Sequence, residues 1–444
     1  MMELTFIVTE SIHSSNQKVL GLNPSYNQST KGDDFTLANK ERLNGHLNHM
    51  STFTATPGEG MTRYSYSPED VKTRNYIKEK MQEYGLTVRE DGLGNIFGKL
   101  AGTSSDAPSV LIGSHFDSVP HGGHFDGIAG VIAGLEVAAL FQEQKLKPTY
   151  PLEVIAMIEE EGSRFGGGVM GSLGINGLIS EKDFHAIRDQ DEISVVEAMK
   201  QAGLDPTLPK YRNPNTMKAF LELHIEQGPI LEEENITIGV VDKIVGLTQF
   251  EVTVQGKAGH AGTTPMDRRS DALIAASTII TDLPKLAIDE GNGTVITVGK
   301  LNVYPNGANV IPEQVVFTID LRTGEEASMK RVMKKIKTVI QSHQEKDIKV
   351  SIEQQLYMKP KSLSEDVRSL FTDTAKKLGI PSIPMVSGAG HDAMVFADFT
   401  KAGMIFIPSK DGMSHCPEEY SDTDHLSQGV DILFESVKLL TKTH

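Results

Sequence analysis

Short apolar runs alternate with helix-spaced segments along most of this chain. Asn39 to Met50 and Ser67 to Tyr84 repeat apolar positions at helical spacing, with Ser67 suited to cap the second segment and Pro68 to its first turn. Leu86 to Val88 and Asn95 to Leu100 read as short strands flanking the turn DGLGN. Ser109 to Gly113 (SVLIG) is apolar and β-branched, a buried strand, and the helix expected over Asp126 to Gln142 puts Ile128, Val131, Ile132, Leu135, Ala138 and Ala139 on one face. Leu152 to Ile158 and Lys218 to Leu223 are further buried strands, each running straight into polar residues. This alternation predicts an α/β fold, a parallel or mixed sheet flanked by helices.

From about residue 241 the character changes. Strands are expected over Val245 to Gln255, Thr294 to Asn302, Gln314 to Leu321 and Ile348 to Gln354, with helices over Asp267 to Lys285 and Glu325 to His343. That order, βαββαβ, is the split (ferredoxin-like) unit and reads as an inserted domain. A helix (Ser364 to Leu378), the glycine-rich loop SGAGHDAM, a strand (Met404 to Ile407), a loop holding His415 and a last helix (Asp424 to Lys442) then complete the first domain. The expected organisation is an N-terminal extension over 1–39, rich in Ser, Asn, Thr and Gly without a sustained period, a catalytic domain in two parts, 40–240 and 356–444, and the insertion over 241–355. The pattern does not set the strand order.

Bulk properties narrow the function. The 444 residues allow two or three domains, and 39% hydrophobic with 23% charged residues is ordinary for a globular protein. A net charge of -16 without a basic cluster argues against nucleic-acid and anionic-membrane partners. The single cysteine, Cys416, excludes an intramolecular disulfide; with no signal-like start and no run of about 18 apolar residues, the expectation is a cytoplasmic protein.

Candidate chemistry gathers at strand ends, where open α/β sheets bind ligands. GSHFDSVPHGGHFDG (113–127) places His115 and Asp117 on the same side of an extended segment, and Asp126 where the next helix begins. Imidazole and carboxylate suit zinc, and carboxylate also suits manganese, though turn and helix-cap roles are open to the same aspartates. His121 and His124 read as loop surface. The strand 152–158 ends in EEEGSRFGGG, adding Glu160 and Glu161, and the strand 218–223 ends in HIEQGP, adding His224 and Gln227. With His415 the set supplies enough groups for a pair of ions: His115 and His224 could hold one, Glu161 and His415 the other, and Asp126 both. Asp117 could orient His115, and Glu160 could serve as general base. A solvated acidic run and a loop histidine are the plainer alternatives for 159–161 and His415.

These stretches, with LELHIEQGP, GKAGHAGTTPMDRRSDA, NVIP, DLR, SGAGHDA and SHCPEE, resemble the successive motifs of the hydantoinase/carbamoylase group of dinuclear zinc-aminopeptidase-like amidohydrolases. That group includes N-carbamoyl-L-amino-acid hydrolases, β-ureidopropionases and allantoate amidohydrolases. The resemblance covers about residues 40–444. The short His115 to Asp126 spacing and HIEQGP favour this group over related dipeptidases and deacetylases. It implies a zinc-aminopeptidase-like catalytic domain with an inserted lid and dimerisation domain, a homodimer, and two divalent ions per subunit (Zn2+, or Mn2+/Co2+). The implied ligands are His115, Asp126, Glu161, His224 and His415, with Glu160 as base. Gln227, Asn309 and Arg322 would bind a small substrate bearing a ureido group and a carboxylate, His260 would polarise the scissile carbonyl, and His391 would line the pocket. The expected reaction is hydrolysis of an N-carbamoyl-L-amino acid. Allantoate hydrolysis, dipeptide or N-acyl hydrolysis on the same scaffold, and a non-catalytic binding role are the alternatives.

Overall fold

The computed structural model describes residues 36–104, 106–345 and 347–443. Residues 1–35 of the expected extension lie outside these, and its last residues are anchored. Leu37 and Ala38 donate backbone N–H groups to the Asp431 carboxylate, and the Asn39 side chain caps the first helix.

In chain order the elements are α1 (Lys40–Met50), α2 (Pro68–Glu83), β1 (Thr87–Glu90), β2 (Ile96–Leu100), β3 (Ser109–His115), α3 (Ile128–Glu143), β4 (Leu152–Met157), α4 (Met170–Ile175), α5 (Glu181–Ala186), α6 (Val195–Gln201), β5 (Met217–Ile225), α7 (Ile230–Glu233), β6 (Ile238–Ile244), β7 (Gly246–Gln255) and β8 (Gly259–His260). They continue with α8 (Ala272–Glu290), β9 (Val295–Thr297), β10 (Leu301–Tyr304), β11 (Val310–Ile311), β12 (Gln314–Thr323), α9 (Glu326–Ser342), β13 (Lys349–Met358), β14 (Lys361–Ser362), α10 (Glu365–Leu378), β15 (Ser382–Ser387), α11 (Asp392–Phe396), β16 (Lys401–Ile407) and α12 (Thr423–Thr441).

A nine-stranded sheet runs β1-β2-β4-β3-β5-β16-β6-β14, with β15 pairing β6. Its centre, β4-β3-β5-β16, is parallel, so these strands deliver their carboxyl ends to one edge. Alternate residues feed two cores: Val110, Ile112, Val154 and Ala156 pack on one face with α3 and α12, while Leu111, Ile155 and Met157 pack on the other with Phe220 and Phe396. Every residue of α3 from Ile128 to Phe141 is buried, more than the one-sided stripe expected, because the helix lies between the sheet and further helices.

The chain leaves this sheet after β6, at Val245 rather than 241, and re-enters it at β14, beyond 355. Between them, β10-β12-β7-β13 form a second, antiparallel sheet, with β9 also on β12. Its buried residues alternate strictly along β7 and β12 and pack with α8 and α9 into a separate core around Phe250, Phe317, Ile279 and Ile336. Two local expectations shift. Helix α8 begins at Ala272, since Asp271 accepts from the N–H groups of Leu273 and Ile274, and residues 266–268 form a separate 3-10 turn. The strand expected over Thr294 to Asn302 divides into β9 and β10, which pair with opposite ends of β12.

Candidate functional site

Each central parallel strand ends in a candidate ligand. His115 is the last residue of β3, Glu160 and Glu161 follow β4, His224 is the penultimate residue of β5, and His415 lies in the loop after β16. Asp126, from the loop between β3 and α3, stands among them. Its Oδ1 is 3.3 Å from His115 Nε2 and 3.1 Å from His224 Nε2. Its Oδ2 is 3.1 Å from His415 Nε2, which is 3.5 Å from Glu161 Oε1. Asp126 does not cap α3: Gly127 holds that position, and no side chain accepts there. Gly127 has φ 66°, and a Cβ on it would lie 2.4 Å from the His115 ring, so the residue after the shared carboxylate has no room for a side chain.

The donor set fits divalent cations. His115 Nδ1 faces the Asp117 carbonyl at 3.3 Å and His224 Nδ1 faces the Ile225 carbonyl at 2.9 Å, so each ring can carry a proton there and offer Nε2 to an ion beside Asp126 Oδ1. Two imidazole nitrogens and a carboxylate oxygen then converge, and the Gly127 N–H points at His224 Nε2 from 3.3 Å. On the other side, Glu161 Oε1 is buried without a hydrogen-bond partner beside Asp126 Oδ2 and His415. Ligand atoms of His115, Asp126 and His224, and of Asp126, Glu161 and His415, fall within 4.8 Å of one another in each set. The same pairs govern protonation. Burial pushes the Asp126 carboxyl up, but the three imidazoles outweigh it and hold it well below the usual range. Burial, then the Asp126 charge, pushes Glu161 up to about 8.

The run Glu159-Glu160-Glu161 divides its labour. Glu159 points inward and accepts from Arg164 N at 3.2 Å and Phe165 N at 2.8 Å, bracing the turn. Glu160 approaches His115 at 3.8 Å but belongs to neither ligand set; burial raises its carboxyl well above the ordinary value, against the pull of His115. Asp117 Oδ1 and Oδ2 accept from Glu160 N at 3.0 Å and Glu161 N at 3.2 Å. It is the Asp117 carbonyl, rather than its carboxylate, that lies nearest His115 Nδ1. Gln227 Nε2 donates to Asp126 Oδ2 at 2.8 Å, leaving its Oε1 buried without a partner. His391 is buried edge-on to His224, with Nε2 3.0 Å from Ser387 Oγ. Glu159, Gln227 and His415 all sit at positive φ, 54°, 58° and 57°, a concentration of backbone strain where three loops meet. His121 and His124 do not line the cleft.

A cleft of about 390 Å3 joins this edge to the open face of the second sheet. Cross-strand register sets two rows there: Arg322, Leu247 and Met358, then Asp320, Gln249 and Leu356. Arg322 gives Nε to Asp320 Oδ1 at 2.9 Å and Nη1 to the Gly388 carbonyl at 3.0 Å. Gln249 Nε2 donates to Asp320 Oδ2 at 3.1 Å. His260 and Asn309 are not part of this lining. They are neighbours on the exposed β8–β11 ladder, where Ala261 N donates to the Asn309 carbonyl at 3.0 Å.

Sequence reasoning missed several supporting residues. The fully buried Arg63 donates Nη1 to the Phe116 carbonyl at 3.0 Å, fixing the strand end that carries His115. Glu419 binds the Asp126 and His415 loops together. Phe116, and the Phe125 and Asp126 amides that Glu419 accepts from, are distant in sequence, whereas Glu419 itself ends the motif SHCPEE, four residues after His415. The row of Leu247 and Gln249 did carry a signal, the period of two along β7.

The family model of peptidase family M20/M25/M40 matches residues 111–439. The chain belongs to this family. It is 39% identical over 408 residues to an N-carbamoyl-L-amino-acid amidohydrolase of Paenarthrobacter aurescens, covering 91% of this chain and 99% of that one. It is 38% identical over 397 residues to an allantoate amidohydrolase of Escherichia coli strain K12, covering 89% and 96%. Among solved structures, an amidase of the hydantoinase/carbamoylase family from Burkholderia multivorans superposes with a TM-score of 0.81 at 34% identity, covering 91% of this chain and 98% of that one. Membership of the hydantoinase/carbamoylase group therefore rests on similarity along nearly the whole of these relatives.

Proposed function

We propose that the chain hydrolyses the ureido C–N bond of N-carbamoyl-L-amino acids, releasing the L-amino acid, carbon dioxide and ammonia. The observation that carries this reading is a single carboxylate, Asp126, shared between His115 with His224 and Glu161 with His415, next to a carboxylate, Glu160, that joins neither set. Two divalent ions held by these groups, Zn2+ or Mn2+/Co2+, would polarise the scissile carbonyl and bring the pKa of attacking water near neutrality. Glu160, beside both ligand sets but in neither, takes the proton from that water and returns it to the amino-acid nitrogen as it leaves. Asp117 keeps the Glu160–Glu161 backbone in place for both steps. The carbamate that departs decays to carbon dioxide and ammonia.

Substrate contacts follow from what remains unpaired. Gln227 Oε1 is a free acceptor for a ureido N–H. With Nε and Nη2 on Asp320 and Nη1 on the Gly388 carbonyl, Arg322 keeps one further N–H on each Nη for a substrate carboxylate. Leu247, Leu356 and Met358 beside it make an apolar wall, which favours an aliphatic amino-acid side chain over the second ureido group of allantoate. We further propose that the second sheet is a lid and dimerisation domain, that His260 and Asn309 act in the cleft of a partner subunit, and that the protein works in the cytoplasm, consistent with its single cysteine. Among the described residues, no helix is long and apolar enough to cross a membrane.

The test is ammonia release across N-carbamoyl-L-amino acids, allantoate, dipeptides and N-acetyl amino acids, with Mn2+, Zn2+ or Co2+ supplied. Fastest turnover is expected with an aliphatic N-carbamoyl-L-amino acid. Preference for allantoate, or turnover confined to dipeptides, would overturn the substrate assignment.

A further inference from the structure

We propose that Glu419 is a positioning residue for the ion site built by Asp126, Glu161 and His415 more than for the other; this rests on the two-ion reading above. The two sites are held in different ways. His115 and His224 belong to adjacent strands of the parallel sheet, and hydrogen-bonded ladders fix their backbones. His415 has no such frame. It lies in a loop, its side chain is half exposed, and its backbone sits at φ 57°.

A clamp replaces the frame. Glu419, 3% exposed, accepts at Oε1 from Phe125 N at 2.9 Å and Asp126 N at 3.0 Å. Its Oε2 accepts from Ser414 Oγ at 2.8 Å and His415 N at 3.4 Å. Ser414 Oγ lies 3.3 Å from Asp126 Oδ2 in turn. One carboxylate thus ties the loop of the shared ligand to the loop of the exposed ligand. Three of the four groups are backbone N–H donors, at least one on each side, and Glu419 offers only acceptors, so a glutamine would turn its NH2 against an N–H whichever way it lies. The loop also leaves space for this side chain alone: a Cβ on Gly123 would lie 2.1 Å from Glu419 Oε1 and 2.2 Å from its Cβ.

Glu419→Gln removes the matched acceptor at constant size, and Gly123→Ala displaces the same carboxylate without touching a ligand. Full-length wild type and both variants, stripped with chelator, are titrated calorimetrically with Mn2+ alone, and ion content is measured after gel filtration. Expected are two ions per wild-type chain, and in each variant one site weakened about 10- to 100-fold, the range for loss of groups that orient metal ligands, with the other, tied to Glu419 through Asp126 alone, weakened less. The melting temperature of the metal-free protein provides the control. Variants that fill both sites as tightly as wild type overturn the proposal. So does equal weakening of both sites, or a lower metal-free melting temperature with unchanged ion affinities, which would mark an ordinary structural strut. If one variant does not fold, the other carries the test. A wild type that takes up no Mn2+ overturns the two-ion reading, and this proposal with it.

Discussion

Glu160 and Glu161 are neighbours in the chain with different surroundings: Glu161 shares a donor set with Asp126 and His415, while Glu160 stands outside both sets. Glu160→Gln is therefore expected to retain two ions and lose nearly all turnover, and metal analysis beside a rate assay checks it. Loss of an ion would make Glu160 a ligand and reverse the two roles. Arg322 invites a sharper test. Because Asp320 already occupies the Nε edge, Arg322→Lys keeps a charge but loses the rigid, parallel pair of N–H groups that matches a carboxylate, so KM should rise more than kcat falls. A charged hydrogen bond contributes roughly 1.5 to 3 kcal/mol. Arg322→Ala should then cost about one to two decades in kcat/KM. A ureide without a carboxylate should be a poor substrate, nearly indifferent to the substitution. Equal turnover of such a ureide would end the case for Arg322 and for the substrate class.

At the scale of elements, the sequence was readable wherever an apolar strand ran directly into polar residues, and this is how β3, β4 and β5 disclosed His115, Glu161 and His224. It was opaque where long-range pairing decides. Strand β15 contains Pro384, which argues against a strand from sequence alone, and its parallel pairing with β6 is what makes it one. The boundary expected at 241 cuts through strand β6, whose own pattern does not say which sheet it joins. The clamp of Glu419 and the brace of Arg63 are hydrogen bonds between residues brought together by the finished fold, and no local period encodes them. Helices α1 and α2 were legible, yet what locks them together was not: His46 on α1 sits 2.7 Å from the Tyr76 hydroxyl on α2 and 2.9 Å from that of Tyr84 at its end. Burial, with help from Lys80, lowers His46 from 6.5 to about 4. The unfolded chain therefore binds this proton first as pH falls, so stability present above about 6.5 is lost on the way down to about 4. Between pH 7 and pH 5 that linkage is worth roughly 2 kcal/mol. Denaturant unfolding of His46→Gln should show a flatter pH dependence than wild type by about that amount. Parallel curves would mean that His46 is not held neutral.

At the scale of the whole molecule, the cleft of one chain is incomplete for the proposed chemistry. Arg322 lines it from the second sheet, whereas His260 and Asn309, on the same unit, face elsewhere. The unit also exposes Met266 at 76%, Ile274 at 65%, Ile288 at 77% and Val295 at 51%, apolar surface that a second copy would cover. If the proposed homodimer delivers His260 into the partner's cleft, two inactive variants should repair each other. In a mixed dimer of Glu160→Gln and His260→Ala chains, the centre with an intact Glu160 receives the intact His260 from the other chain, while the second centre lacks both. Random reassociation makes half the dimers mixed, with one working centre each, so activity should recover to about a quarter of wild type. If His260 serves its own chain, no centre in any dimer is whole, and mixing restores nothing. Sedimentation run alongside decides the remaining point: a fully active monomer at assay concentration would refute the dimer, and with it the delivery of His260 across subunits.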